Sequence, residues 1–98
     1  MSETALRKEI EHTLEIYEKL ISHAASRTRP MFDRYPSEIE ALSHLVISPD
    51  LQYGFKVLRD RGMLDKTFEA VVVRFKHLFR PEIVEAAEWR LAHAHDLG

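Results

Sequence analysis

The sequence contains no cysteine, one tryptophan, three glycines and four prolines in 98 residues. Without cysteine the chain forms no disulfide, no thiolate zinc site and no thiolate nucleophile. A reducing, cytoplasmic interior is the expected compartment. The few glycines include no Gly-rich phosphate loop and no Gly-x-Ser-x-Gly elbow. No apolar run approaches the roughly 18 residues that a membrane-spanning helix requires, so no membrane association is expected. The opening stretch MSETALRKEIEHTLEIYEKL is interrupted throughout by charge and lacks the apolar core of a secretory signal. An excess of either charge is also missing. Fourteen basic and 16 acidic side chains leave a net charge of −2, which argues against a partner held mainly through its phosphates.

What is present is helical periodicity. With 45% hydrophobic and 31% charged residues the composition is that of an ordered domain, and the length suits one domain. We therefore expect an all-α fold, a single compact bundle over 1–98 of about five helices, at about 3–26, 38–47, 49–61, 67–79 and 81–95. In the first, Leu6, Ile10, Leu14, Tyr17, Leu20, Ile21 and Ala24 draw one apolar stripe, and Pro30 disfavours helical backbone at Arg29 and ends the segment. At roughly 35 Å this long N-terminal helix exceeds what so small a bundle needs. It offers a surface, with Tyr17 on it, to a second copy.

Ser37 and Glu40 form a capping box for the second helix. Ser48-Pro49-Asp50 starts the third, and Gly62 ends it in a left-handed turn. TFEAVVVRFKHLF permits a strand through its three valines, but Phe68, Val71, Val72, Phe75, Leu78 and Phe79 align on one helical face and favour helix. Pro81 opens the fifth, whose stripe is Ile83, Val84, Ala87, Leu91 and Ala94. Trp89 lies about 140° from Val84 on the wheel, away from that stripe and flanked by Ala86, Ala92 and His93.

Candidate functional residues follow from these placements. An exposed tryptophan is enriched at interfaces, so Trp89 and His93 join Tyr17 as a candidate contact surface, and a homodimer is the expected assembly, with another protein as an alternative partner. The stretch RTRPMFDRYP crowds arginines and rings together. Phe32 and Tyr35 are expected to close the core, while Arg27, Arg29 and Arg34 are candidates for binding an anion or nucleic acid.

Leu51–Arg61, Gly62 and Thr67–Phe79 have the lengths of a helix-turn-helix, and basic residues gather in this half. The proposed recognition helix, however, begins FEAVVV, where base-reading side chains are needed. Metal chemistry finds little purchase. Glu9 with His12 has the Glu-x-x-His spacing of di-iron bundles but lies off the apolar stripe. Glu11, Glu15 and Glu18 form an acidic ridge without a facing acidic pair. Neighbouring Ser–His pairs point apart on a helix. No metal, cofactor or catalytic residue is assigned. The expected function is a non-catalytic, self-associating binding protein, followed by a nucleic-acid-binding or regulatory protein and then a metal-dependent hydrolase using the glutamate ridge.

Overall fold

Leu6, Ile10, Leu14 and Tyr17 form the buried face of the first helix, α1 (Ser2–Leu20). A computed structural model of the chain describes residues 2–20, 22–48 and 53–96, with backbone only for residues 2, 22–27 and 53. The described residues contain five further α-helices, α2 (Ser22–Asp33), α3 (Glu38–Ile47), α4 (Tyr53–Asp60), α5 (Phe68–Arg74) and α6 (Pro81–Ala92), and no strand. The all-α expectation with a long N-terminal helix is met, and Phe68–Arg74 are helical rather than extended.

The expected single helix over 3–26 is two helices. Pro30 does not terminate a segment but lies inside α2, which continues to Asp33. The Arg29 guanidinium bonds to Glu18 at 3.0 and 3.2 Å and to Glu11 at 2.9 and 3.2 Å. On one straight helix residues 11 and 29 would stand about 27 Å apart, so the chain reverses and α2 lies back along α1. Pro30 is exposed while the next residue, Met31, is buried in the core. The packing of Met31 and the grip on Arg29 outweigh the local bias against helix that Pro30 imposes. With α1 cut to 19 residues, about 28 Å, it fits within the 33 Å long axis of the molecule. The surplus length that suggested a partner for α1 disappears.

The other boundaries follow local chemistry. The Ser37 hydroxyl accepts a hydrogen bond from the Glu40 amide at 3.3 Å, capping α3. Ser48, expected to start the next helix, closes α3 as its C-cap, and Pro49 and Asp50 lie outside the described residues. At the end of α4 the Met63 amide bonds to the Leu58 carbonyl at 2.8 Å and the Gly62 amide to Arg59 at 3.0 Å, with Gly62 at φ 73°. This paired closure needs a left-handed residue, which glycine adopts without strain. Thr67 caps α5, accepting from the Ala70 amide at 3.2 Å and donating to the Leu64 carbonyl at 2.7 Å. α5 stops at Arg74, earlier than expected, and a separate 3-10 turn covers Lys76–Leu78. α6 begins at Pro81 as expected and ends at Ala92, with a 3-10 turn over Ala94–Asp96.

α5 is the central element. Phe68 to Val72 are all buried, and the helix packs against α1, α3 and α6. A helix enclosed on most sides carries few polar residues, and α5 has only Glu69 and Arg74. Tyr17 meets Phe68 edge-on at 5.2 Å, and Phe32 tilts against the same ring at 5.6 Å. Gly54 makes room for this cluster. A Cβ placed there would stand 2.5 Å from the Tyr17 ring, and that ring is 4% exposed and unable to swing aside. Gly54→Ala is therefore expected to destabilise the fold by about 1–3 kcal/mol through overpacking. Urea denaturation checks this, and an unchanged midpoint would contradict the packing described.

Candidate interaction face

α6 presents two chemically different sides. Inward it carries Ile83, Ala87 and Arg90. The Arg90 Nη1 bonds to Glu69 Oε2 at 2.7 Å, and Nη2 donates to the Ser48 carbonyl at 2.9 Å. Ser48 caps the C-terminal end of α3, where unpaired carbonyls attract a cation. Glu69 sits in the first turn of α5, where the positive helix end favours an anion. One guanidinium thus links α6 to an end of each of two other helices. Glu69 is fully buried, and its Oε1 has no hydrogen-bond partner among the described residues. Burial raises the Glu69 pKa above the ordinary carboxylate value, with Arg90 opposing the shift. Burial, and secondarily the nearby Glu69 charge, likewise raises that of Tyr17. Neither Glu69 nor Arg90 was singled out by periodicity. The signal available was one charge inside the apolar run FEAVVV and an opposite charge within the apolar stripe of α6.

Outward, α6 exposes Glu82, Glu85, Glu88, Trp89 and Ala92. Trp89 is 54% exposed, and its indole stacks on the His93 ring at 4.4 Å with 21° between planes. The His93 backbone amide and Nδ1 both lie 2.9 Å from the Trp89 carbonyl oxygen. An acceptor at that distance requires Nδ1 to carry the proton, leaving Nε2 as the outer ring nitrogen. The stack on His93 orients the indole at the surface. Ile47, also 54% exposed, adjoins Ser48 in sequence as Trp89 adjoins Arg90.

The remaining candidates separate. Tyr17 is not a surface residue. Its ring is in the core against Phe68, because the stripe that suggested a contact surface is covered by the chain itself. The side chain of Arg27 lies outside the described residues. Arg29 is a structural clamp, its pKa held above the ordinary value by bonding to Glu18 and then Glu11. Arg34 is exposed. Most of RTRPMFDRYP is the last part of α2 rather than a loop, and half-buried Phe32 and Tyr35 pack against the core as expected. The helix-turn-helix candidate fails on geometry, since buried α5 cannot enter a groove. Glu11 and Glu18 of the acidic ridge hold Arg29, and Glu9 of the Glu-x-x-His pair bonds to Arg74. No three His, Asp or Glu residues converge on one point among the described residues. No described helix is long and apolar enough to cross a membrane.

No protein-family model, curated protein or solved structure is detectably similar to this chain.

Removing one partner of the buried pair leaves the other charge uncompensated. Arg90→Leu is expected to lower stability by about 3–5 kcal/mol, whereas Arg90→Leu with Glu69→Leu recovers most of that loss. Denaturant titration of both variants checks this, and an equally unstable double variant would contradict it.

Proposed function

We propose that this chain is a non-catalytic helical binding protein that self-associates through the outer face of α6, with Trp89 and His93 at the centre. The observation that carries this reading is the large indole held outward in a fixed stack with His93. Tryptophan anchors dominate many interfaces, and an anchor already ordered before binding loses little freedom on contact. Exposed glutamates and alanine beside it supply the polar and small-residue surroundings of a contact patch. The nucleic-acid alternative has less support, because Arg29, Arg74 and Arg90 are bound within the chain. The hydrolase reading shares its glutamates with Arg29. A cytoplasmic location belongs to the same proposal and is supported by the absence of cysteine.

Trp89 is the only tryptophan, so its fluorescence reports this face directly. Sedimentation across a concentration series is expected to reveal a dimer, accompanied by a blue shift of emission. Trp89→Ala is expected to weaken association by about 2 kcal/mol or more, roughly 30-fold. A chain that stays monomeric up to about 1 mM, the weakest affinity of interest, would refute the proposal.

A further inference from the structure

We infer that the outer face of α6 takes an arginine-rich peptide segment of a partner protein, with one guanidinium lying on the Trp89 indole and bonded to Glu85. This rests on the reading of that face as a binding surface and assigns it a partner other than a second copy. The face is acidic and aromatic at once. Glu82, Glu85 and Glu88 are exposed beside Trp89, and the only basic side chain of α6, Arg90, is buried inward. Elsewhere Glu9, Glu11, Glu18 and Glu38 each hold an arginine of the same chain. Glu82, Glu85 and Glu88 have no hydrogen-bond or ion-pair partner for their carboxylates among the described residues. The helix itself gains little from them. Glu85 stands three residues from each of the others, and like charges one turn apart are unfavourable. Only Glu82 is in the first turn, where the helix dipole favours an anion. A cation on this face relieves the repulsion.

The indole selects the kind of cation. One of its faces is stacked on His93, and it meets no other ring among the described residues. A guanidinium is planar and weakly hydrated, and it stacks on an aromatic face while its edge N–H groups bond to carboxylates. Glu85 lies about 6 Å along the helix from Trp89 and about 40° round it, and Glu82 about 10 Å and 20°. A cation on the indole therefore has Glu85 within reach and Glu82 next in line. Alternate residues of an extended segment stand about 7 Å apart, so two arginines at that spacing meet Trp89 with Glu85 and then Glu82. His93 has the same polarity. Its Nδ1 proton is committed to the Trp89 carbonyl, which makes Nε2 of the neutral ring an acceptor. The carboxylates and this nitrogen all accept, and a guanidinium only donates.

Fluorescently labelled octa-arginine, titrated with the chain and followed by anisotropy, is the probe. Saturable binding is expected. Trp89→Leu, which keeps every charge, is expected to weaken it about threefold or more. Glu82→Gln with Glu85→Gln is expected to weaken it roughly five- to tenfold. Glu15→Gln with Glu40→Gln removes the same charge from α1 and α3 and is expected to leave binding unchanged. Residues 15, 40, 82, 85 and 89 are all exposed, so these substitutions leave the core intact. Equal weakening by the two double variants, with no effect of Trp89→Leu, would reduce the binding to attraction by net charge and overturn the inference. A chain that dimerises in sedimentation but does not bind the peptide overturns the inference and leaves self-association standing. Peptide binding that depends on Trp89 and Glu85, in a chain that stays monomeric, does the reverse.

Discussion

Glu69 enters the core on the first turn of α5, with one carboxylate oxygen bound to Arg90 and the other without a partner among the described residues. A lone buried carboxylate is very unfavourable, and a buried ion pair is tolerable only when further polar groups surround it. Arg90 supplies that setting by also bonding to the Ser48 carbonyl. The consequence is geometric. The end of α3, the start of α5 and the last turn of α6 must meet at one guanidinium, and no sliding of α6 along α5 preserves all three contacts. Apolar packing alone tolerates small shifts, whereas a buried polar contact penalises them.

The outer side of α6 inherits its position from this inner constraint. Trp89 precedes Arg90, and neighbouring residues on a helix point about 100° apart. Arg90 fixed toward α3 and α5 therefore turns Trp89 to solvent, and the break after Ala92 brings His93 under the indole. The exposed indole is thus a consequence of how the core is pinned. α1 and α2 are joined by a comparable device at the surface, where Arg29 grips two glutamates a helical turn or more apart. Exposed ion pairs contribute little individually, so Met31 and Phe32 packing beneath is the larger force holding that hairpin.

Much of the fold could be read in advance, and the parts that could not share a cause. The Ser37 cap, the Gly62 closure and the Pro81 start are local chemistry, settled within four or five residues, and they appear where expected. Pro30 misled because its helical bias is a modest local term that long-range contacts of Met31 and Arg29 overcome. Tyr17 misled because a stripe on one helix does not reveal what covers it. The Glu69–Arg90 pair spans 21 residues, and pairing of that kind leaves no periodic trace, only two charges that look misplaced in apolar runs. Trp89 was found because its position off the stripe is itself a periodicity statement.

The amino-acid sequence by itself determined that the chain is helical, the bounds of α3 and the starts of α5 and α6, that α5 is mostly apolar, and that a single tryptophan stands off the core stripe. These depend on backbone preferences and on spacing along one helix. Only the tertiary structure decided that the first apolar segment folds back as a hairpin, that Arg29 and Tyr17 serve the fold, and that Glu69 and Arg90 meet in the interior. Those outcomes require residues distant in the chain to share a small volume, and the interaction energies that select them exist only once the helices have packed.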